Sequence, residues 1–305
     1  MQQIRDVAVF GAGALGAFYA SRFHATPGFN VSLIADGERG TRLRTEGLSV
    51  NDEIFRPPVR DPAQAAEPVD LIIVALKHHQ LTPAIEDLRH FVGENTLILS
   101  VMNGLDSEEL IAARYGWDKV LYCVAVGIDA VRKEGVVMAP HAGRLYFGEA
   151  LNRPGAPRVV RVQKALDRAG LPWETPDDML RMLWWKFMIN VGINQASAVL
   201  RAPYGVFQRS ADARAVVTAL MEEVITLARC RGIDLGPADL EAWERVLGGL
   251  APEGKTSMLQ DIEAGRKTEI EIFAGKMVDL GRARQVPTPA NALMLHLIRT
   301  LEETV

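Results

Sequence analysis

Cysteine and histidine are scarce in this sequence. Two cysteines, Cys123 and Cys230, occur in 305 residues, and they form neither a Cys-x-x-Cys pair nor a zinc-ligand pattern. The six histidines include no pair at the i, i+4 spacing of a helical metal site, and the adjacent His78 and His79 point apart. We therefore expect no disulfide framework and no bound metal.

Long apolar runs and an excess of positive charge are also missing. Hydrophobic stretches such as residues 120–128 are shorter than the roughly 20 residues that span a bilayer. The first residues lead directly into an apolar strand, without the pattern of an export signal. Lys and Arg number 34 against 38 Asp and Glu, and the formal net charge of −4 does not attract nucleic acid or anionic membranes. We expect a cytoplasmic protein with no nucleic-acid or membrane partner.

The composition is that of a folded, enzyme-sized protein. Hydrophobic residues make up 48% and charged residues 24% of the sequence, and at roughly 150 residues per domain the length predicts about two domains. In the first part of the chain short apolar runs alternate with helical segments, which predicts an α/β fold with a Rossmann-type, doubly wound parallel sheet. Pro172 and Pro176 mark a change, and helical segments follow. We predict an N-terminal domain over residues 1–175 and an all-α C-terminal domain over residues 176–305.

A glycine-rich loop follows the first predicted strand at once and leads into a helix. Its residues are Gly11, Ala12, Gly13, Ala14, Leu15 and Gly16. Between a strand and a helix, this pattern provides a tight turn, a backbone without side chains beside a pyrophosphate, and a helix N-terminus that faces it. The loop therefore predicts a dinucleotide-binding domain, and the alternative is a tight turn without a ligand.

Charged residues near the end of the second strand bear on the choice of dinucleotide. Asp36 lies 20 residues after Gly16, where an acid accepts hydrogen bonds from ribose hydroxyls and repels a 2′-phosphate, so it favours NAD(H). Arg39, Arg42 and Lys77 could instead neutralise a phosphate, or they are ordinary surface charges. These residues alone leave the choice of cofactor open.

Three polar residues share one face of a strongly apolar helix predicted over residues 179–199. Lys186, Asn190 and Asn194 are spaced i, i+4 and i+8, so at about 100° per residue they lie within about 80° of one another. Burying a lysine and two amides without partners is expensive. We expect them either to line a polar cavity or to join a satisfied network between helices.

A second polar set, Ser257, Asp261 and Glu269, lies in the C-terminal part of the chain. Taken alone, these residues are typical of the exposed face of an amphipathic helix. Their residue types by themselves therefore favour no site over an ordinary surface.

Taken together, five segments resemble the ketopantoate reductase (2-dehydropantoate 2-reductase) family. They are the glycine loop, Leu76-Lys77, Met102-Asn103-Gly104, residues 185–194 and residues 257–270. The last two are specific to this family, whereas the first is shared by most dinucleotide-binding proteins. The resemblance covers nearly the whole chain, and it implies a Rossmann domain and an all-helical domain with the site in the cleft between them.

The resemblance also implies a reaction, the NADPH-dependent reduction of ketopantoate, a 2-keto acid, to pantoate in pantothenate biosynthesis. The catalytic residues would be Lys186, as general acid, and Glu269. The substrate-binding residues would be Asn103, Asn190, Asn194 and Ser257. The cofactor-binding residues would be the six of the glycine loop together with Asp36, Lys77, Asn103 and Glu269.

Two features separate this chain from many members of that family. Asp36 stands where many members carry an arginine that binds the 2′-phosphate of NADP(H), which favours NAD(H) here. The segment after Asn194 also departs from the family pattern. Two alternatives therefore stay open: a reductase of another 2-keto acid or of a 3-hydroxy acid, and a dinucleotide-sensing protein without turnover. Apolar helical faces are compatible with a homodimer.

Overall fold

The short apolar runs of the first part of the chain form strands, as predicted. The computed structural model describes residues 3–128, 130–133 and 135–304. Its strands are β1 (Asp6–Phe10), β2 (Asn30–Ile34), β3 (Leu48–Val50), β4 (Glu53–Phe55), β5 (Val59–Arg60), β6 (Leu71–Val74), β7 (Leu97–Ser100), β8 (Val120–Val126), β9 (Val131–Lys133), β10 (Val136–Met138), β11 (Arg144–Gly148) and β12 (Trp173–Glu174). They form an eight-stranded sheet in the order β12-β11-β8-β7-β6-β1-β2-β5 and a four-stranded sheet in the order β4-β3-β10-β9.

The large sheet is parallel from β8 to β5, and β1 lies within this parallel part. It is hydrogen-bonded to β2 on one side and to β6 on the other. The register places Phe10 opposite Ile34 and opposite Val74, and each of these residues is the last of its strand. The segments that follow these three strands therefore leave the sheet at the same edge.

Alternating side chains of β1 contribute to two apolar cores, one on each face of the sheet. Val7 and Val9 belong to one core, and Ala8 and Phe10 belong to the other. All four residues of β6 and all four of β7 are buried, as in a sheet that is covered on both faces. The prediction of a doubly wound α/β domain is confirmed.

Helices cover this sheet and make up most of the second half of the chain. In chain order they are α1 (Ala14–His24), α2 (Gly37–Glu46), α3 (His78–Ala84), α4 (Ser107–Tyr115), α5 (Pro157–Arg168), α6 (Met179–Ile189), α7 (Gln195–Leu200), α8 (Tyr204–Arg209), α9 (Ala211–Arg229), α10 (Pro237–Gly249), α11 (Ser257–Glu263), α12 (Ala274–Arg284) and α13 (Pro289–Glu303). The long helix α9 packs against α7, α8, α12 and α13. The helical character predicted for the C-terminal part is confirmed. Within the described ranges, no helix is both long and apolar enough to cross a membrane.

The chain divides into two compact units, Met1–Met182 and Leu183–Val305. This division falls within α6. The first turn of that helix is hydrogen-bonded to other residues of the first unit. The backbone N–H of Met179, for example, donates to the carbonyl of Ala150 at 3.0 Å. The domain boundary that we place between residues 175 and 176 from the sequence stays a prediction.

A buried acid joins β7, α4 and β8 in the first unit. Glu108 is 1% exposed, and its two carboxyl oxygens accept hydrogen bonds from the Ser107 hydroxyl at 2.8 Å and from the backbone N–H of Cys123 at 3.3 Å. The Ser100 hydroxyl in turn donates to Ser107 Oγ at 2.8 Å. Burial raises the pKa of Glu108 to about 7, although the hydrogen bonds from Ser107 and Cys123 act in the opposite direction.

This raised pKa makes the stability of the protein depend on pH. The folded state keeps a proton on Glu108 that the unfolded chain, with an ordinary glutamate pKa, releases at lower pH. The stabilisation is complete below the unfolded pKa and is lost as the pH rises through about 7. From pH 5 to pH 8 we expect wild type to lose about 2 kcal/mol of unfolding free energy relative to Glu108→Gln, measured by urea unfolding.

The exposed neighbour Glu109 provides the control for this measurement. The unfolding free energy of Glu109→Gln should follow that of wild type across the same pH range, because its carboxyl group lies in solvent. If the Glu108→Gln curve also runs parallel to that of wild type, Glu108 does not titrate with a raised pKa.

Candidate functional site

The glycine loop connects β1 to α1 in a geometry that only glycine permits at two positions. Gly11 has a φ of 102°, and a Cβ on it would lie 2.5 Å from the carbonyl oxygen of Ala75. A Cβ on Gly16 would lie 1.8 Å from the carbonyl oxygen of Gly11. These two glycines therefore serve the close packing of the loop against its own helix and against the segment after β6.

Gly13 differs from its two neighbours because nothing fills the space beside it. A Cβ on Gly13 would meet no atom within 4 Å. Gly13 is the N-cap of α1, it has no side chain to cap the helix, and the first turn of α1 has no acidic residue. Open space beside free N–H groups at a helix N-terminus suits a pyrophosphate, so the loop fits a dinucleotide.

The other predicted cofactor residues of the first unit lie in the segments that follow β2, β6 and β7. Asp36 is the exposed N-cap of α2, and Lys77 is the half-buried N-cap of α3. Asn103, also half-buried, lies in the segment between β7 and α4, next to Gly104 with a φ of 101°. Because β2 and β6 both pair with β1, Asp36 and Lys77 leave the sheet at the same edge as the glycine loop.

A cluster of three arginines, which the sequence does not reveal as a unit, lies beside the glycine loop. Arg132 on β9 donates from Nη1 to the carbonyl oxygen of Ala12 at 3.1 Å. Desolvation, and then the charges of Arg132 and Arg42, lower the pKa of Arg39. Desolvation, and then the charge of Arg42, lower the pKa of Arg132, while Glu46 acts in the opposite direction. We call Arg39, Arg42 and Arg132 the arginine cluster.

In the arginine cluster, two members have no counter-charge. Arg39 and Arg42 are exposed, and their guanidinium groups form no hydrogen bond or ion pair with any residue that the structure describes. Their i, i+3 spacing places them on one side of α2. The sequence shows these two, but Arg132 joins them only through the fold, because it follows Arg42 by 90 residues.

In the second unit, the prediction of one continuous α-helix over residues 179–199 is corrected. A π-helical turn, Asn190–Asn194, lies between α6 and α7. A turn with i→i+5 hydrogen bonds rotates the chain by less than 100° per residue. The angle around the helix axis between Asn190 and Asn194 therefore differs from the angle that a regular α-helix would give. Such single π turns occur frequently at functional sites. The two predicted asparagines mark the first and last residues of this turn.

Lys186 lies one turn before the π turn and is half-buried. Within the described residues its ammonium group has no hydrogen-bond or ion-pair partner. Burial lowers the pKa of Lys186 to about 8. Asn190 and Asn194 are 4% and 7% exposed, so the lysine is followed on the same helix by two buried amides.

The structure brings the remaining predicted residues to the same unit by two separate contacts. Ser257, which is exposed, begins α11, and α11 packs against both the π turn and α7. Glu269 is half-buried and precedes the 3-10 turn Ile270–Ile272, which ends at Phe273. The ring of Phe273 lies 6.3 Å from that of Phe187, the residue after Lys186. Asp261, in contrast, is held in an ion pair with Arg266 at 2.9 Å.

Comparison with known families matches both parts of the chain. The profile described as ketopantoate reductase PanE/ApbA matches residues 7–152, and the profile for the C-terminal part of ketopantoate reductase PanE/ApbA matches residues 178–302. The chain belongs to the ketopantoate reductase family. It is an NAD(P)-dependent oxidoreductase that acts on CH–OH groups.

Individual relatives resemble the chain over almost its full length. A 2-dehydropantoate 2-reductase of Mesorhizobium japonicum is 28% identical over 320 residues, which covers 97% of each chain. The crystal structure of 2-dehydropantoate 2-reductase from Geobacter metallireducens has a TM-score of 0.84 and 28% identity, and covers 98% of this chain and 100% of that chain. A ternary structure of D-mandelate dehydrogenase with NADH and anilino(oxo)acetate has a TM-score of 0.88 at 21% identity, covers 98% of each chain, and shares the fold.

Gly13→Ala tests the glycine loop without disturbing its packing. The new Cβ meets no protein atom within 4 Å, and the φ of −73° is ordinary for alanine. We expect an unchanged melting temperature and a dissociation constant for NAD(P)H that rises by about tenfold or more, measured by fluorescence titration, because the methyl group occupies the space of the pyrophosphate.

Gly248→Ala is the matched control, since a Cβ there in α10 also meets nothing within 4 Å. It should bind NAD(P)H as wild type does. Wild-type affinity in Gly13→Ala would exclude this face of the loop as the pyrophosphate site.

Proposed function

We propose that this enzyme reduces ketopantoate to pantoate with a hydride from NAD(P)H. The observation that carries the proposal is the half-buried Lys186, which lacks a partner among the described residues and precedes a π turn with two buried asparagines. Family membership and the named relative from Mesorhizobium japonicum support ketopantoate as the first substrate to test.

Lys186 is suited to act as the general acid. When bound, the nicotinamide supplies the hydride that reduces the keto carbon, and negative charge then develops on the carbonyl oxygen. The Lys186 ammonium group donates a proton from Nζ to that oxygen. A pKa of about 8 keeps the group largely protonated at neutral pH and makes it a stronger acid than an ordinary lysine.

The neighbouring polar groups orient the substrate. Asn190, Asn194 and Ser257 offer amide and hydroxyl donors that suit the carboxylate and the hydroxyl of such an acid. Asn103 contacts both substrate and cofactor. Glu269 holds the Lys186 ammonium group or the substrate hydroxyl in place at the nicotinamide end.

Lys186→Met tests the general acid. We expect kcat to fall by about 10²–10⁴-fold while the dissociation constant for NAD(P)H stays unchanged, because only the proton transfer is lost. In wild type, kcat/KM for reduction should fall as the pH rises above about 8, where Lys186 loses its proton. Steady-state kinetics from pH 6 to pH 10 would measure both effects.

Lys164→Met removes the same charge at an exposed position of α5, outside the predicted set of site residues, and should leave the kinetics unchanged. Wild-type turnover in Lys186→Met would remove Lys186 from the mechanism. If wild type binds NAD(P)H but neither reduces ketopantoate or other 2-keto acids nor oxidises 3-hydroxy acids with NAD(P)+, the dinucleotide-sensing alternative replaces the enzyme.

The cofactor proposal extends to both nicotinamide dinucleotides, held through different residues. The arginine cluster places three positive charges beside the glycine loop, and a 2′-phosphate carries the negative charge that offsets their repulsion. Burial, and then the negative charge of Asp36, raise the pKa of Asp87. A second acid therefore acts on the same region as Asp36. Asp36 therefore binds the ribose hydroxyls of NAD(H), and the arginine cluster binds the phosphate of NADP(H).

The double variant Arg39→Ala/Arg42→Ala separates the two cofactors. We expect KM for NADPH to rise by about tenfold or more, with KM for NADH nearly unchanged, because charge-assisted hydrogen bonds to the 2′-phosphate are lost. Arg44→Ala, an exposed arginine on the same helix, should affect neither value. Equal losses for both cofactors would contradict a 2′-phosphate site at the arginine cluster.

The cytoplasmic location and the homodimer stay predictions. On α13, Leu293 and Leu297 are 58% and 39% exposed and follow each other by one helical turn. A contact between two copies of the chain would bury such side chains.

A further inference from the structure

The segment that carries Asn103 is connected to a buried acid that the proposed mechanism does not use. The backbone N–H of Met102, next to Asn103, donates to Ser100 Oγ at 3.4 Å. From Ser100 the hydrogen bonds continue to Ser107 Oγ and then to Glu108 Oε2, each at 2.8 Å. We call this chain of groups the serine relay.

Among the residues that the structure describes, no cation accounts for the buried Glu108 carboxylate as an ion pair. On its own helix, Asp106 raises the pKa of Glu108 further. On β8, burial and the charge of Glu108 raise the pKa of the Cys123 thiol and raise the pKa of Tyr122 to about 12. On α1, burial and then the charge of Cys123 raise the pKa of Tyr19. A buried acid without a counter-charge destabilises the fold when ionised, so its retention calls for another explanation.

The hydrogen bonds give Glu108 two states with different consequences for the relay. Both of its oxygens accept, one from Ser107 and one from the backbone N–H of Cys123, which suits an ionised carboxylate. A protonated carboxyl must donate from one oxygen. The Ser107 hydroxyl would then accept a hydrogen bond from Glu108 and donate one to Ser100 Oγ. The Ser100 hydroxyl, which accepts from the backbone N–H of Met102, could no longer donate to Ser107 and would have to rotate.

We propose that Glu108 is a positioning residue, whose carboxylate holds the Asn103 segment in its binding geometry through Ser107 and Ser100. The inference rests on the proposed contact of Asn103 with the cofactor and the substrate. The cofactor site formed by the Asn103 segment is therefore well ordered when Glu108 is ionised and less so when it is protonated.

Glu108→Gln tests the relay at constant shape. Its amide offers a single acceptor oxygen, so one of the two accepted bonds is lost. We expect the dissociation constant for NADH to rise by about tenfold at pH 8. In wild type the affinity for NADH should weaken as the pH falls through about 7, whereas in Glu108→Gln it should be independent of pH. NADH is the probe because the 2′-phosphate of NADPH itself titrates near pH 6.

A double-mutant cycle shows whether the effect passes through Asn103. Asn103→Ala weakens NADH binding directly, and adding Glu108→Gln to it should then cause little further loss. Ser107→Ala breaks the relay while leaving the carboxyl group in place, and should match Glu108→Gln if that variant folds poorly. Glu109→Gln, exposed on the same helix, should bind NADH as wild type does at every pH.

The outcomes separate this inference from the proposed function. NADH binding decides the relay even if no 2-keto acid is reduced, which would overturn only the proposed reaction. The relay is overturned if Glu108→Gln and Ser107→Ala bind NADH like wild type, if the pH dependence persists in Glu108→Gln, or if the losses in the cycle are additive.

Discussion

The first unit depends on the parallel pairing of β1 with a strand on each side. The register sets Phe10 opposite both Ile34 and Val74, so three chain segments leave the sheet side by side. The glycine loop, Asp36 and Lys77 belong to these segments. Hydrogen bonds of the sheet, which no single side chain controls, therefore collect the groups that suit a dinucleotide at one edge.

In the second unit the corresponding constraint is the cost of removing polar groups from water. Lys186 and the two asparagines occur in a helix whose other residues are mostly apolar. Burial in these surroundings lowers the pKa of Lys186 to about 8. The π turn Asn190–Asn194 changes the angular spacing at the point where these amides are buried. Buried polar groups with such costs are typical of functional sites, where chemistry rather than stability accounts for them.

The first unit carries two comparable local costs. Like charges lie close together in the arginine cluster beside Ala12, and Glu108 is buried with no cation beside it among the described residues. Each is unfavourable in isolation. The proposed binding of a 2′-phosphate would offset the first, and the proposed positioning of the Asn103 segment gives a reason for the second. Both features lie outside the family motifs by which the sequence can be classified.

The α/β class, the helical C-terminal part, the glycine loop and the family resemblance all follow from the amino-acid sequence. These depend on periods of two and about 3.6 residues and on short fixed spacings, which are local properties of a chain. The same local spacing identified Lys186 with Asn190 and Asn194, whose roles stay predictions.

The arginine cluster, the π turn and the serine relay become visible only in the folded chain. Arg132 donates a hydrogen bond to Ala12 across 120 residues. The π turn depends on hydrogen bonds that no residue pattern predicts. The pKa of Glu108 is raised mainly by burial. Each of these depends on which distant segments pack together and on how much water they exclude.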